Sequence, residues 1–264
     1  MDSKIETVFG AIDQIAKSSP DKMAVISGNE AISYAQLATR VNAVAEGLRL
    51  RGVGRGELIG VESGRAIDNL IGLIGAMAMG AVPISMPNEV YAYTAVLNEA
   101  KPKRILATPD GMPEEAQGRA QEVARFYVSE LSDPAVRPQS NHLERSASGE
   151  DTAMIYYTSG TSSGVRKGVM QSYKALHITA KYITEIMRSS ESVCEFVASP
   201  VDNAFWFGRC RCVLGVGGTL LLSSGTLNPF NILAALSRNN GNAISGDTPI
   251  FMLLLHQMEN FAAT

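Results

Sequence analysis

The chain has 264 residues, of which 45% are hydrophobic and 19% are charged, as in an ordinary folded protein and unlike a disordered one. The formal net charge of −3 argues against a nucleic-acid-binding protein that works through a broad basic face. The three cysteines, Cys194, Cys210 and Cys212, are too few for a disulfide framework and complete no zinc site, so no metal ligand is assigned.

The N-terminal part of the sequence predicts a helix, a hairpin and a second helix. Apolar residues share one helical face over 5–17. A hairpin is expected over 23–33, with its turn at Gly28-Asn29. Ser33 is then the expected N-cap of a helix that ends at Gly52.

One apolar stretch, Leu70 to Pro87, is long enough to suggest a membrane span. Asp68 and Asn69 precede it, and Gly80 and Pro83 interrupt it, so a buried helix followed by a short strand is the better interpretation. The first residues have no apolar core of the signal-peptide type. We therefore expect no membrane span and a cytoplasmic location.

From residue 58 onwards, short apolar runs alternate with helical patterns. The expected strands are 58–61, 82–85, 104–108, 126–128, 153–158, 193–198, 219–223 and 243–245, and the expected helices are 67–79, 90–100, 113–124, 173–188, 229–238 and 249–261. Such alternation implies crossover connections, and it predicts an α/β fold with mostly parallel sheets covered by helices. The polar stretch 129–151 is the expected long connection.

The segment from Thr158 to Gly168 carries the strongest chemical signal. Seven consecutive Ser, Thr or Gly residues, 158–164, are followed closely by Arg166, Lys167 and Gly168. Glycines let backbone N–H groups turn toward an anion, hydroxyls add neutral donors, and a lysine adds a charge suited to phosphate. The segment predicts a phosphate-binding loop, although not of the Walker type. The alternative is a polar surface loop.

The same residues also match a different class of enzyme. Residues 160–164 read G-T-S-S-G, the G-x-S-x-G elbow of serine hydrolases, and Asp202 or Asp247 followed by His256 gives the right chain order. A helix should begin directly after such an elbow, whereas 165–169 predicts extended chain. The serine hydrolase is therefore the second hypothesis, and a non-catalytic nucleotide-binding module is the third.

Residues 158–168 resemble the T-S-G-T-T-G-x-P-K-G signature of adenylate-forming enzymes, which include acyl-CoA synthetases, luciferases and nonribosomal peptide synthetase adenylation domains. This chain has one extra residue at Ser162-Ser163-Gly164, and Arg166 replaces the usual proline. Weaker resemblances occur at 32–37, 78–84, 200–219 and 248–249, in the same order along the chain as in the family.

The resemblance implies that a small-molecule carboxylate attacks the α-phosphate of ATP-Mg²⁺ to give an acyl-adenylate and pyrophosphate. CoA or the phosphopantetheine of a carrier protein then takes the acyl group. Lys167 is implied as the catalytic residue, and the implied phosphate-binding residues are Thr158, Ser159, Gly160, Thr161, Ser162, Ser163, Gly164 and Lys167.

Much of the family pattern has no match in this sequence, including the Y-G-x-T-E segment, the later T-G-D segment, the hinge and the C-terminal lid with its lysine. We therefore expect residues 1–264 to form a partial N-terminal core domain in the layered arrangement of adenylate-forming enzymes. We expect this chain to be inactive by itself and to expose surface that permits self-association, for example as a homodimer.

Residues 201–206, V-D-N-A-F-W, resemble the F-D-x-S-x-W segment of peptide-synthetase adenylation domains, whose aspartate pairs with the α-ammonium of the substrate. The resemblance places Asp202, Asn203 and Trp206 at a substrate pocket. The alternative is that Asp202 caps the following helix and that the aromatic residues form core. An amino-acid-activating enzyme and an acyl-CoA synthetase both stay open.

Overall fold

The computed structural model describes residues 5–116, 123–132, 148–158, 166–225 and 227–262. They form two mostly parallel β-sheets with helices packed against them, which confirms the predicted α/β class. The strands are β1 (Met23–Ser27), β2 (Glu30–Ser33), β3 (Leu58–Glu62), β4 (Val82–Met86), β5 (Arg104–Ala107), β6 (Ala124–Tyr127), β7 (Thr152–Tyr157), β8 (Gly168–Ser172), β9 (Cys194–Ala198), β10 (Thr219–Leu222) and β11 (Ala243–Gly246). The helices are α1 (Val8–Ser18), α2 (Tyr34–Leu50), α3 (Ala66–Met79), α4 (Val90–Ala100), α5 (Val128–Leu131), α6 (Tyr173–Ile186), α7 (Ala204–Gly215), α8 (Pro229–Arg238) and α9 (Thr248–Ala262).

The first sheet has the strand order β11-β9-β10-β1-β2 and joins the two ends of the described chain. The pair β1–β2 is the predicted antiparallel hairpin, and β1 pairs in parallel with β10. Ser33 caps α2 as predicted. Its hydroxyl accepts from the Gln36 N–H, and the Gln36 side chain accepts from the Ser33 N–H, so both N-terminal donors are satisfied.

The second sheet has the order β6-β5-β3-β4-β7-β8. Its first five strands are parallel, and β8 runs antiparallel to β7. A short link between two neighbouring strands can only return antiparallel, whereas a parallel neighbour needs a longer crossover. The phosphate-loop segment is therefore the link of a hairpin at this end of the sheet.

The main core lies around α2 and α3. Nearly every residue of α3 is buried, and a Cβ added to Gly75 would lie 2.6 Å from Val44 Cγ1, so the glycine lets the two helices approach closely. The long apolar stretch is thus a buried helix followed by β4, as predicted. Within the described ranges, no helix has the length and apolarity needed to cross a bilayer.

Three element predictions need correction or lie outside the structure. The helix expected over 113–124 is a 3₁₀ turn at Glu114–Ala116, and Ala124 already pairs with β5; residues 117–122 lie outside the described residues. The connection expected over 129–151 contains the short helix α5, and its residues 133–147 also lie outside them. The periodic pattern indicated no helix over α7, which only the capping alternative for Asp202 implied, because this helix is buried around most of its circumference and lacks an amphipathic period.

Candidate functional site

The stem of the predicted phosphate loop is the hairpin formed by β7 and β8. The last cross-strand pair is Tyr157 with Gly168. Beyond it, the Thr158 N–H donates to the Lys167 carbonyl oxygen at 3.0 Å, and the Lys167 N–H donates to Thr158 Oγ1 at 3.2 Å. These two hydrogen bonds hold the two ends of the loop beside each other.

Gly168 has a packing role at this stem. A Cβ added to it would lie 3.2 Å from Cζ of the Tyr157 ring, which is tighter than most real contacts of that kind. The glycine after the lysine therefore lets the tyrosine ring lie against the opposite strand.

The stem projects from the edge of the sheet where ligands commonly bind. β7 pairs in parallel with β4 through Ile155 and Ile84, so Thr158 follows the carboxyl end of a parallel strand. Ligands of open α/β sheets bind at this carboxyl edge. The Thr158 and Lys167 side chains are both exposed there.

The structure places only part of the predicted loop. Thr158 and Lys167 lie at its two ends, whereas Ser159, Gly160, Thr161, Ser162, Ser163 and Gly164 lie outside the described residues, and their phosphate-binding role stays a prediction. The strand that follows the loop decides the serine-hydrolase alternative. Because the chain enters the extended strand β8 and not a helix, the serine-hydrolase hypothesis is wrong.

The second predicted region, at the start of α7, lies close enough to the loop for their charges to interact. Burial raises the pKa of the partly buried Asp202 carboxyl, while the positive charge of Arg166, next to Lys167, acts in the opposite direction. The fold thus brings together two segments that are far apart in sequence and that were both predicted to bind ligand.

The neighbours of Asp202 have structural roles. Asn203, and not Asp202, is the N-cap of α7, because Asn203 Oδ1 accepts from the Phe205 N–H at 2.9 Å. The capping alternative for Asp202 is therefore wrong, and its side chain is not committed to the helix. Trp206 is 1% exposed and belongs to the main core, so its assignment to a substrate pocket stays a prediction.

A buried polar cluster at the carboxyl ends of β3 and β5 has no counterpart in the predictions. The Tyr93 hydroxyl donates to Glu62 Oε1 at 2.9 Å, and Arg125 Nη1 lies 2.6 Å from the same oxygen. The Thr108 N–H donates to Glu62 Oε2 at 3.2 Å. Burial, together with the Glu62 charge, raises the pKa of Tyr93, which keeps the phenol protonated. Both carboxylate oxygens are satisfied, so this cluster ties neighbouring strands together.

The donors at the stem fit a phosphate better than a bare metal ion. Among the described residues they are the exposed Thr158 hydroxyl and the exposed Lys167 ammonium, because the backbone N–H groups of both residues already donate across the stem. Among the residues that the structure describes, no group of three or more His, Cys, Asp or Glu side chains could hold a metal ion. Mg²⁺ usually keeps several waters and binds through substrate phosphates, so it fits this region as part of ATP-Mg²⁺.

Known proteins resemble this chain in sequence or in fold. Tyrocidine synthase 2 of Brevibacillus parabrevis is 31% identical over 174 residues, covering 64% of this chain and 5% of the synthase. A long-chain-fatty-acid–CoA ligase from Archaeoglobus fulgidus superposes with a TM-score of 0.84 at 19% identity, over 98% of this chain and 55% of that one. O-succinylbenzoate coenzyme A synthetase from Bacillus subtilis, in complex with AMP, gives 0.78 at 18% identity, over 94% of this chain and 64% of that one.

The structural comparisons and the family model support different conclusions. The structural likenesses, at such low identity, show the fold alone. The chain spans 5% of the curated relative and 55% of the fatty-acid–CoA ligase. The family model described as AMP-binding enzyme matches residues 12–264, which is nearly the whole chain. This chain therefore belongs to the AMP-binding enzyme family of adenylate-forming ligases.

Proposed function

We propose that the protein activates a carboxylic acid with ATP to give an acyl-adenylate, and that CoA or a carrier-protein phosphopantetheine then receives the acyl group. The observation that carries the proposal is the β7–β8 stem, which presents the ends of a Ser/Thr/Gly-rich loop at the carboxyl edge of a parallel sheet. Family membership supports the same reaction class.

Lys167 is the proposed catalytic residue at this stem. Its backbone is fixed by the hydrogen bonds to Thr158, while its side chain is exposed and can reach a ligand in the loop. An ammonium group there neutralises charge on the β- and γ-phosphates and on the departing pyrophosphate. Catalysis of this kind depends on positioning and on charge neutralisation. Ser159 to Gly164 supply the remaining phosphate donors in the proposal.

Asp202 supports a second candidate, an amino-acid-adenylating enzyme of the peptide-synthetase type. It is partly buried, it does not cap α7, and its charge interacts with the Arg166 end of the loop. A carboxylate in this position can pair with a substrate ammonium, and burial strengthens such a pairing. Asn203 and Trp206, beside it, are proposed to shape the same pocket.

The complete reaction is proposed for a protein that carries the rest of the family fold, because this chain spans 55% of the fatty-acid–CoA ligase structure. By itself the chain offers the phosphate end of the ATP site. Affinity depends on many contacts that together exceed a large association cost, so we expect ATP-Mg²⁺ to bind residues 1–264 at millimolar strength or weaker, about −4 kcal/mol. Calorimetric titration of the 264-residue chain measures this, and micromolar affinity would contradict it.

Carboxylate-dependent exchange of labelled pyrophosphate into ATP tests the reaction, measured on the natural polypeptide that contains these residues. We expect exchange that depends on an added carboxylic acid and that falls strongly in Lys167→Ala. Lys103→Ala removes a different exposed lysine and serves as the matched control. Equal exchange in the two variants would remove Lys167 from the mechanism.

The two substrate classes are separated by Asp202→Asn. If the substrate is an amino acid, the variant loses exchange with the amino acid but keeps any exchange with its des-amino analogue. If the substrate is a simple acyl group, the variant and the parent protein use it equally.

A further inference from the structure

A cavity of about 670 Å³ lies between α1, α6 and α7. Its volume is in the range of small-molecule sites, which is roughly 300–1,000 Å³. Neither Thr158 and Lys167 nor Asp202, Asn203 and Trp206 line it, so it is separate from the site described above. Its walls are largely apolar and include Val8, Ala11, Met77, Leu176, Ala180 and Val216.

A buried positive charge lies in the wall of this cavity. Arg211, on α7, is 7% exposed and lines the cavity. Its Nη1 donates to the Leu176 carbonyl oxygen, and its Nε has no hydrogen-bond partner among the described residues. Burial lowers the pKa of the guanidinium, but an arginine stays charged in a protein, so a cation remains at an apolar surface.

The described neighbours of Arg211 do not supply an anion. The titratable groups that affect the pKa of Arg211 are the Cys212 thiol and the Tyr156 phenol. Burial raises the pKa of both groups, which keeps them neutral. In the part of the chain that the structure describes, no carboxylate forms an ion pair with Arg211, whereas Arg209 on the same helix pairs with Glu195. The cavity wall therefore holds a buried guanidinium with no ion-pair partner among the described residues.

Further charges line the same cavity on α6 and at the start of α1. Lys181, Arg188 and His177 are partly or fully exposed there, together with the carboxylates of Glu6 and Glu185. The signs are mixed, so these groups do not select an anion. Arg211 differs from these groups because it is buried.

From this arrangement we propose that the cavity between α1, α6 and α7 binds a small amphipathic carboxylate. The carboxylate pairs with the Arg211 guanidinium, while the apolar body lies along the walls from α1 and α6. The pairing supplies the missing anion and removes apolar surface from water at the same time. The inference does not rest on adenylate formation, because it involves different residues.

Calorimetric titration of the 264-residue chain with decanoate, below its micelle concentration, tests the proposal. Decanol is the uncharged probe of the same chain length. We expect 1:1 binding of decanoate and binding of decanol that is weaker by about tenfold or more. Hydrogen exchange on the unmutated chain should show that decanoate protects α6, around residues 174–186. Equal affinity for the two probes, or no protection of α6, would overturn the proposal.

Three variants test where decanoate binds. Arg211→Met should weaken decanoate about tenfold and leave decanol unchanged. Gly215→Leu should weaken both probes, because it fills the cavity: Gly215 lines it, and a Cβ there meets nothing within 4 Å, so the variant should fold. Lys167→Ala should leave decanoate binding unchanged. If Lys167→Ala weakens decanoate while Arg211→Met and Gly215→Leu do not, the carboxylate binds at the phosphate loop and the proposal is wrong.

Discussion

Two arginines, two positions apart on α7, are buried in opposite ways. Arg209 makes a two-pronged ion pair with Glu195, with Nε donating at 2.9 Å and Nη2 at 2.5 Å, and both side chains are almost fully buried. Arg211 is buried to a similar degree, but its described hydrogen bond is to a backbone carbonyl. Positions two apart on a helix point to different sides, so one arginine faces the first sheet and the other faces the cavity.

The difference shows how a buried charge can serve structure or binding. Arg209 and Glu195 compensate each other, and the strand β9 is thereby attached to α7, although Arg209 Nη1 has no described partner. Arg211 carries the cost of burial without a counter-charge. Breaking the ion pair of Arg209 should therefore lower the unfolding free energy strongly, whereas replacing Arg211 should not.

Removing the partner of Arg209 should have the largest effect. Glu195→Ala leaves a buried guanidinium without its carboxylate, and breaking a buried pair in this way costs about 3–5 kcal/mol of unfolding free energy. Urea unfolding followed by circular dichroism measures the loss. Glu191→Ala, which removes an exposed carboxylate, should change stability by no more than about 0.5 kcal/mol. Similar values for the two variants would contradict the role assigned to the ion pair.

The Glu62 cluster offers a second paired charge with a smaller expected loss. Arg125→Met removes the cation but leaves Glu62 hydrogen-bonded to the Tyr93 hydroxyl and the Thr108 N–H. We expect a loss of about 2 kcal/mol, below that of Glu195→Ala, because part of the carboxylate solvation is kept. The same urea series gives the comparison. A loss larger than that of Glu195→Ala would reverse the proposed order.

Arg211→Met should change the unfolding free energy by less than about 1 kcal/mol in either direction. The variant gives up a hydrogen bond to Leu176 but also removes a charge that lacks a carboxylate, and an apolar side chain of similar length fills the space. Thermal unfolding of the variant and of the parent chain measures this difference in stability. A loss of about 3 kcal/mol or more would mean that Arg211 is as fully compensated as Arg209.

The smallest effect concerns Asp202 and depends on pH. Its pKa in the folded state is raised by burial, so the folded protein binds this proton more tightly than the unfolded chain does. Stability therefore falls as the pH rises from the ordinary aspartate pKa, about 3.9, to the raised value. Asp202→Asn should be the more stable protein at pH 7 and should lose this advantage near pH 3. Melting temperatures at the two pH values measure it, and an advantage equal at both would contradict the raised pKa.

The sequence could predict the elements whose signals are local. The β1–β2 hairpin has its turn residues, α2 has its cap at Ser33, and the alternation of strands and helices predicts parallel sheets. Buried features were missed because they depend on partners distant in sequence. α7 has no amphipathic period, and nothing near Arg209 or Arg211 in the sequence indicates that one has a carboxylate partner and the other does not.

The candidate site was predicted unevenly for the same reason. The loop residues form one continuous segment, so their composition alone indicates a phosphate-binding loop. Asp202 and Asn203 are adjacent, and both residue types cap helices well, so only the fold shows that Asn203 is the cap. The effect of the Arg166 charge on the pKa of Asp202 depends on segments from both sheets, which no local pattern encodes.

The hydrogen bonds between Thr158 and Lys167 also bear on tolerance to changes in length. They bring the ends of the intervening segment together when the hairpin forms, so the entropy of closing that segment is lost during folding. This entropy grows only with the logarithm of segment length, and even a doubling adds about 0.6 kcal/mol. The extra residue at Ser162-Ser163-Gly164 therefore costs a small fraction of that, and a family signature can gain a residue here while its anchoring points stay in register.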